Sequence, residues 1–295
     1  MNLLVTGGAG FIGSNFIDYI LTNKSDLLSK VVNLDALTYA GNLDNVKEFE
    51  NHEKYYFENV NLCDSRELLR VFNEHKITHV IHFAAESHVD NSIFDPTDFI
   101  QSNIVGTFNL LKISREQNIK KFHHVSTDEV YGELGDKGKF SENSHYNPQN
   151  PYSATKAASD FLVKSYHHTY KLPITISNCS NNFGPRQHSE KFIPTVLRSL
   201  IRNKKIPLYG KGLNVRDWIY VKDHCDGVWE VFTKGKLGET YCIGSNCEKK
   251  NIDVIKEICY ILNKEPSEEI EYVTDRVGHD YRYAIDSSKI TFELG

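Results

Sequence analysis

The stretch VTGGAGFIG, Val5 to Gly13, decides the fold class of this 295-residue chain. It places Gly7, Gly10 and Gly13 directly after an apolar run and at the start of a segment with helical spacing. Glycines at these points allow a tight turn, a close approach of the backbone to a pyrophosphate, and close packing of helix against strand. The N-terminus of the helix would then face the phosphates. The stretch therefore predicts a dinucleotide-binding turn; a purely structural glycine turn is the alternative.

An acid at the end of the next apolar run indicates which dinucleotide is bound. Asp35 directly follows Val31–Leu34. Dinucleotide-binding sequences carry such an acid about 20 residues after the glycine turn, and Asp35 lies at about that distance. A carboxylate there can accept hydrogen bonds from the adenosine ribose hydroxyls and would repel a 2′-phosphate. The sequence therefore favours NAD over NADP.

Apolar runs alternate with helix-spaced segments through the first half of the chain. The predicted strands are Leu3–Val5, Val31–Leu34, Tyr55–Phe57, His79–Phe83 and Phe122–Val125, and the predicted helices are Ile12–Thr22, Ser65–Glu74 and Asn103–Gln117. Such alternation is typical of βαβ units and a parallel sheet. After about Cys179 the pattern loosens into polar, proline-bearing segments. We therefore predict an α/β chain with a Rossmann-type doubly wound parallel sheet over residues 1–180. A smaller C-terminal substrate-binding lobe follows over 181–295, with an approximate boundary and some chain crossing back.

Composition excludes several classes of function. The net charge of −5 argues against a general nucleic-acid or membrane-surface binder, because such partners need a basic face. The six cysteines lack the spacing of metal ligands, so we expect reduced thiols in a cytoplasmic protein and no metal site. We also expect no leader after Met1 and no membrane span, which needs an apolar run of ~18 residues.

The segment YSATK places Tyr152 and Lys156 four residues apart, on one face of a helix. A nearby ammonium and the positive charge of a bound nicotinamide would favour the phenolate and make Tyr152 a general base. Tyr260 and Lys264 repeat the spacing on what reads as an ordinary helix, so the spacing alone is weak evidence. The first pair differs because its helix carries several alanines, which allow close approach to a cofactor.

A pair of adjacent acids follows the fifth predicted strand, in the segment STDEVYG (Ser126–Gly132). Asp128 and Glu129 come directly after the hydroxyl residue Thr127. Two neighbouring carboxyls push their pKa values apart, so that one can be ionised while the other is protonated. The pair is therefore suited to combined acid and base chemistry; a solvated turn is the alternative.

These motifs together resemble the extended short-chain dehydrogenase/reductase family and, within it, the dTDP-glucose 4,6-dehydratases. The resemblance covers nearly the whole chain, including the segments LDALTYAGNLDNV (34–46), AAESHVD (84–90), CSNNFGPRQ (179–187), EKFIP (190–194), PLYGKGLNVRDWIYVKDH (207–224) and DRVGHDYRYAIDSSKI (275–290). It implies conversion of dTDP-glucose to dTDP-4-keto-6-deoxyglucose and water, with a tightly bound NAD regenerated in each turnover. A UDP-glucose 4,6-dehydratase, a UDP-sugar 4-epimerase or decarboxylase on the same scaffold, and a non-catalytic NAD-bound protein remain alternatives.

The resemblance also implies roles for individual residues. Tyr152 takes the proton of the C4 hydroxyl, with Thr127 on the same oxygen and Lys156 nearby. Glu129 then removes the C5 proton, and Asp128 protonates the departing C6 hydroxyl. The implied cofactor-binding residues are Gly7, Gly10, Phe11, Ile12, Gly13, Asp35, Leu37, Thr38, Leu62, Phe83, Ala84, Ala85, Ser102, Tyr152 and Lys156. The implied substrate-binding residues are Glu86, Ser87, His88, Thr127, Asn181, Asn182, Lys191, Phe192, Pro207, Tyr209, Arg216, Asn251, Arg276 and His279.

Among these, Arg216 is the strongest candidate for the diphosphate, because a guanidinium can grip phosphate oxygens with two hydrogen bonds. The resemblance further implies a homodimer, in which the helix after Asn103 and the helix bearing Tyr152 form a four-helix contact. Two departures stand out: Asn91 replaces the usual arginine, and the sequence ends at Gly295, short of the C-terminal helix expected in this family.

Overall fold

The computed structural model describes residues 1–275 and 278–295. The strands within them are β1 (Asn2–Thr6), β2 (Lys30–Leu34), β3 (Tyr55–Glu58), β4 (His79–His82), β5 (Lys121–Thr127), β6 (Ile174–Cys179), β7 (Asn181–Phe183), β8 (Ile206–Tyr209), β9 (Val215–Tyr220), β10 (Thr240–Ile243), β11 (Glu248–Lys250) and β12 (Ile270–Val273). The α-helices are α1 (Phe11–Asn23), α2 (Ser65–His75), α3 (Val89–Phe94), α4 (Thr97–Phe99), α5 (Thr107–Glu116), α6 (Pro151–Tyr170), α7 (Phe192–Ile201), α8 (Val221–Lys234), α9 (Asn251–Ile261), α10 (Pro266–Glu269) and α11 (Ser288–Leu294).

Seven strands of the described chain form one sheet in the order β10-β6-β5-β4-β1-β2-β3. Every neighbouring pair in it runs parallel, which confirms the predicted parallel sheet. The strand order reverses between β1 and β4, because the chain crosses from β3 at one side to β4 at the other. Ligands of doubly wound sheets bind at the carboxyl ends of the strands at such a reversal. The turn after β1 and the loop after β4 both lie there.

Both faces of the sheet are covered, as predicted from the nearly continuous apolar strands. On one face, Phe16 and Ile20 of α1 and Trp229 of α8 pack in one buried cluster with strand residues. On the other face, side chains of α2, α5 and α6, such as Leu68 and Leu111, form a second buried cluster. This double cover holds the strands rigidly and presents their carboxyl ends to the substrate side.

The chain after residue 181 builds two smaller sheets, ordered β11-β9-β7 and β12-β8. Helices α7 and α9 pack against β8 through a separate apolar cluster that includes Val196, Ile206 and Ile255. Helix α8 and strand β10 return to the seven-stranded layer, where β10 pairs with β6. The division at residue 180 stays a prediction, and the segment from α8 to β10 is the part that crosses back. Within the described residues, no helix has the length and apolarity needed to span a membrane.

Candidate active site

A cleft of about 670 Å³ lies along the carboxyl ends of the central strands. Of the predicted cofactor-binding residues, those that line it are Gly7, Gly10, Phe11, Ile12, Gly13, Asp35, Thr38, Leu62, Phe83, Ala84, Ala85, Ser102, Tyr152 and Lys156. Leu37 is not part of this lining among the described residues. It contributes its backbone N–H, which donates to Asp35 Oδ1 at 2.8 Å.

The glycine turn after β1 fits a pyrophosphate. Gly7 has a φ of +73°, and a Cβ on it would stand 2.7 Å from the backbone of Ala84. A Cβ on Gly13 would stand 2.3 Å from the Gly7 carbonyl oxygen, so helix α1 could not pack as closely. A Cβ on Gly10, the residue that caps α1, would meet only the Gly7 oxygen at 3.3 Å. Gly10 therefore leaves room on the cleft side, where the helix N-terminus attracts anions.

Asp35 is held at the cleft by the backbone around it. Its Oδ2 accepts a hydrogen bond from Ala9 N at 2.9 Å, in addition to the bond from Leu37. Burial raises the pKa of this carboxyl, while the two backbone N–H groups act in the opposite direction. An acid fixed in this way is suited to accepting hydrogen bonds from the ribose hydroxyls, as the sequence predicted.

The five predicted catalytic residues, Thr127, Asp128, Glu129, Tyr152 and Lys156, all line the same cleft. Strand β5 ends at Thr127, whose side chain caps the following turn by accepting from Glu129 N at 3.3 Å. Helix α6 carries the tyrosine and the lysine and begins with a capping box between Asn150 and Ser153, followed by a proline at its first position. These residue types fix helix starts, so the first turn of α6 holds Tyr152 at the cleft.

The protein alone does not lower the pKa of Tyr152. Burial and the charge of Glu129 raise this pKa well above its ordinary value, and a hydrogen bond with the Thr127 side chain acts in the opposite direction. Lys156 is buried and donates to the Val125 carbonyl oxygen at 2.9 Å. The predicted phenolate therefore requires further positive charge in the cleft, which a bound nicotinamide cation supplies.

Asp128 is a buried carboxyl whose surroundings favour the protonated form. It is 2% exposed, and burial together with the charge of Glu129 raises its pKa well above the usual range. Its Oδ1 accepts from the Thr127 hydroxyl at 3.4 Å, and its Oδ2 has no hydrogen-bond partner among the described residues. Asp128 can therefore donate a proton to a ligand. The raised pKa of Asp128 has the direction that the predicted division between a protonated and an ionised acid requires.

Five of the predicted substrate-binding residues outside the catalytic group also line the cleft: Glu86, Ser87, Asn181, Asn182 and Lys191. Thr38 donates to Glu86 Oε1 at 2.7 Å, which joins the loop after β2 to the loop after β4. Lys191 donates to the Ser87 carbonyl oxygen at 3.0 Å and so joins the loop after β4 to the segment that precedes α7.

Arg216 lies outside this lining, although it acts on the site through its charge. Its guanidinium donates to the carbonyl oxygens of Val215 and Asp280 at 2.8 and 2.9 Å. It also stacks over the ring of Tyr283 at 4.4 Å, and its charge lowers the pKa of Asp128. In this conformation two nitrogens of its guanidinium donate to backbone carbonyl oxygens, and the side chain is not part of the cleft lining. The predicted phosphate contact therefore stays a prediction.

The other predicted substrate residues lie around the second lobe or beside the cleft, outside its described lining. His88 Nε2 is 3.5 Å from Glu190, and the ring of Phe192 stacks on Trp218. Pro207 and Tyr209 lie on β8, and the ring of Tyr209 is 6.3 Å from that of His279. Asn251 is the first residue of α9. Arg276 lies outside the described residues.

One group of described residues, away from the cleft, has side chains close enough to share a metal ion. It consists of Glu58, Glu74 and His75. Arg70 already bridges the two carboxylates, with contacts of 2.8 and 2.7 Å. The guanidinium neutralises the charge that would attract a cation, so we assign no metal to this group.

Residues 4–295 match the family model described as GDP-mannose 4,6 dehydratase. The chain belongs to this 4,6-dehydratase family. A dTDP-glucose 4,6-dehydratase of Escherichia coli is 47% identical over 323 residues, which cover 100% of this chain and 88% of that protein. The crystal structure of a dTDP-glucose 4,6-dehydratase from Streptomyces venezuelae, with NAD and a dTDP ligand bound, is 42% identical. Its TM-score is 0.96, with coverage of 100% of this chain and 91% of that one. The resemblance inferred from the sequence is confirmed.

The same fold carries other activities. A UDP-glucose 4-epimerase from Thermotoga maritima has a TM-score of 0.91 and 28% identity, with coverage of 100% of this chain and 93% of that one. The overall architecture therefore cannot distinguish a dehydratase from an epimerase, and the distinction depends on the residues of the cleft.

In this member of the 4,6-dehydratase family, sequence reasoning missed two buried polar residues behind the cleft. Asn103 binds the backbone of Glu86 and donates to the Thr155 hydroxyl at 2.9 Å. Asp160 lies on α6 with four polar neighbours. Its position four residues after Lys156 was the available signal, because it continues the helix face that carries Tyr152.

Proposed function

We propose that the protein is an NAD-dependent dTDP-glucose 4,6-dehydratase. The observation that carries this proposal is the buried Asp128, whose pKa is raised, beside Glu129 in one cleft with Tyr152. Elimination of water needs a proton donor for the leaving hydroxyl and a base for a carbon-bound proton, whereas 4-epimerisation expels no leaving group. Identity of 47% to a dTDP-glucose 4,6-dehydratase over the whole chain supports the same assignment.

The chemistry requires oxidation before elimination, because the C5 proton of an unoxidised hexose is barely acidic and becomes an α-proton once C4 is a ketone. When bound, NAD supplies the hydride acceptor for C4 and the hydride that later reaches C6. The glycine turn and Asp35 would hold its pyrophosphate and adenosine ribose. Because the hydride is returned, one cofactor serves every turnover and has no need to leave.

Tyr152 takes the proton of the C4 hydroxyl, and Thr127 hydrogen-bonds to the same oxygen. Both residues line the cleft, and the hydrogen bond between their side chains supports this shared role. Lys156, one turn further along α6, adds positive charge that favours the phenolate. General-base assistance of this kind contributes about 10²- to 10⁴-fold to the rate.

The acid pair carries out the elimination. Glu129 removes the C5 proton, and Asp128 gives its proton to the C6 hydroxyl, which leaves as water. The division of labour follows from burial, since Asp128 is the more buried of the two and its pKa is raised. A proton returned from Glu129 to C5 completes the 4-keto-6-deoxy sugar. Lys191, at the edge of the cleft, is our first candidate for a diphosphate contact, and Arg216 is the second.

A side-by-side assay with dTDP-glucose and UDP-glucose tests the proposal. We expect dTDP-glucose to give a product with the alkaline ultraviolet absorbance of a 4-keto sugar and no net NADH. UDP-glucose lacks the base methyl, which is worth only about 1–3 kcal/mol in discrimination, and carries an additional ribose 2′-hydroxyl, so we expect it to react more slowly than dTDP-glucose. A C4-inverted sugar as the product would establish an epimerase instead, and no conversion of either nucleotide would refute the assignment.

We also propose that the protein is a cytoplasmic homodimer. All six cysteines, which lie in the described part of the chain, carry free thiols. Phe108 on α5 and Phe161 on α6 are 42% and 58% exposed, on the two helices predicted to form the dimer contact. Exposed apolar side chains that cluster on a surface mark interfaces. Light scattering should report a dimer, and Phe161→Asp should shift it towards a monomer; a monomeric wild type would contradict this.

A further inference from the structure

Asp160 is a fully buried acid behind the reactive helix face. It lies one turn after Lys156 and two turns after Tyr152 on α6, so the three side chains share one face. None of its surface is exposed to solvent. A buried carboxylate is costly unless hydrogen bonds or an opposite charge stabilise it. The surroundings of Asp160 therefore indicate what the carboxylate does.

Donors from three other parts of the chain converge on this carboxylate. The Ser126 hydroxyl on β5 donates to Oδ2 at 2.9 Å, and the Tyr146 hydroxyl, from the loop before α6, donates to the same oxygen at 2.8 Å. The Asn178 amide on β6 approaches it at 3.5 Å. On the other side, His124 Nε2 is 3.1 Å from Oδ1, although its direction is poor for a hydrogen bond. This arrangement suits a carboxylate that remains ionised.

The direction of its pKa agrees with this arrangement. Burial works to raise the pKa of Asp160, yet His124, Lys156 and Ser126 hold it below its usual value. Burial lowers the pKa of both His124 and the neighbouring His82, which disfavours the charged form of both rings. Lys156 lies one turn before Asp160 on the same face of α6, and its charge favours the ionised carboxylate.

The same reasoning applies from the side of the lysine. Burial lowers the pKa of Lys156, while Asp160 and Cys179 act to raise it. Burial raises the pKa of the Cys179 thiol to about 12, so this thiol is neutral at physiological pH. Of the groups that favour the charged lysine, Asp160 therefore supplies the negative charge.

We propose that Asp160 is the buried counterion of Lys156 and a positioning residue for the reactive centre. The positioning part rests on the function proposed above. Asp160 also helps to hold the end of β5: Asn178, which approaches the carboxylate, donates to the Thr127 carbonyl oxygen at 3.0 Å, and Ser126 precedes Thr127 in the chain. One carboxylate thus keeps the lysine charged and holds the strand that carries Thr127.

The first test is the pH profile of NADH formation on the enzyme mixed with stoichiometric dTDP-glucose. Asp160→Asn removes the negative charge, so Lys156 should lose its proton at lower pH. We expect the alkaline decline of the rate to move down by about one pH unit or more, which approaches a tenfold loss at pH values above the wild-type decline. Asp160→Glu keeps the negative charge and should restore much of the rate at high pH. Tyr146→Phe, which leaves the carboxylate in place, is the control and should not move the decline; an unshifted profile in Asp160→Asn overturns the positioning role.

The second test needs no activity and so separates this inference from the proposed function. Melting temperatures of Lys156→Met, Asp160→Asn and the double variant form a thermodynamic cycle. If the two charges are paired, the double variant should be more stable than the sum of the single losses predicts. If Asp160→Asn does not fold but the double variant does, the result supports the pairing. If neither variant folds, the pairing is refuted. Additive losses would also refute it, even if the enzyme converts dTDP-glucose as proposed.

Discussion

Two adjacent acids at the end of β5 occupy different environments, and this difference determines what each can do. Asp128 is enclosed by protein, whereas Glu129 is half-buried. The sequence showed the pair and the reason for its pKa values to separate. Which acid has the higher pKa depends on burial in the folded chain and on charges from distant elements, such as Arg216 and Asp217 on β9, and local sequence carries no record of either.

Asp128→Asn should stabilise the fold while it impairs the elimination. Below pH about 4, Asp128 is protonated in both the folded and the unfolded chain. As the pH rises, the unfolded chain ionises freely while the folded chain retains the proton, so the raised pKa costs stability. Asparagine removes that cost. We expect a melting temperature that exceeds the wild-type value by more at pH 8 than at pH 5; an equal difference at both would contradict the raised pKa.

Glu129→Gln should separate oxidation from elimination. The amide cannot remove the C5 proton, whereas Tyr152 and Thr127 remain to oxidise C4. We expect enzyme-bound NADH to accumulate after mixing with dTDP-glucose, and product formation to fall by about 10²- to 10⁴-fold. Absorbance and fluorescence of NADH, followed together with product, measure both steps. Normal turnover in this variant would mean that another group removes the proton.

Tyr152 marks the limit of sequence reasoning at the residue scale. Spacing identified it correctly as a partner of Lys156 on one helix face, and both line the cleft. The predicted phenolate depends on the charge of a bound nicotinamide as well as on the lysine and stays a prediction; in the protein alone, burial and Glu129 raise the pKa of Tyr152. Sequence spacing records which groups are neighbours but not how much water each loses.

At the scale of elements, the periodicity of apolar residues predicted the strands and helices, but it did not predict local irregularities within them. The segment predicted as one helix over Asn103–Gln117 begins with a π-helical stretch, Ile100–Gly106, before α5. The two forms differ by one residue in the spacing of their hydrogen bonds, and a stretch of seven residues is too short for apolar spacing to distinguish them. The stretch includes Asn103, which braces the loop at Glu86 against Thr155. Such wide turns are frequent at functional sites.

The turn between β1 and α1 gives a prediction for this scale. Gly7→Ala introduces a side chain at a φ of +73° and places it 2.7 Å from the Ala84 backbone. The strain should cost about 1–3 kcal/mol of stability and distort the phosphate-binding turn. We expect purified Gly7→Ala to carry less NAD than the wild type and to melt at a lower temperature. Gly138→Ala is the matched control, because that glycine also has a positive φ, +90°, but has no atom within 4 Å of its Cβ position and lies outside the cleft lining. Equal NAD contents in both variants would contradict the role of the turn.

At the scale of the whole molecule, the sequence predicted a doubly wound parallel sheet but not its last strand. β10 comes after three strands of the smaller sheets and returns beside β6. Its four residues are too few for a distinctive pattern, and nothing local specifies which edge they join. Tertiary contacts with α8 and β6 decide the position, so connectivity between the lobes had to come from the structure.

Removal of the cofactor should destabilise the whole chain, because the cleft is lined by the ends of several strands of the sheet and by the loops that follow them. Saturation with a ligand at 100 times its Kd stabilises a protein by about 2.7 kcal/mol. For a protein of this size or somewhat smaller, that corresponds to a melting temperature about 5–10 °C higher. We expect charcoal-treated protein to regain this increment with NAD. NADP at the same concentration should restore less, since Asp35 would repel its 2′-phosphate; equal recovery would contradict the NAD preference.

The return of β10 to the edge of the main sheet also constrains the order of events during synthesis. Until residue 243 has left the ribosome, the nascent chain cannot complete the layer, and β6 remains an open apolar edge that can pair with other chains. Folding of the dinucleotide-binding half must therefore finish late, after most of the second lobe has emerged.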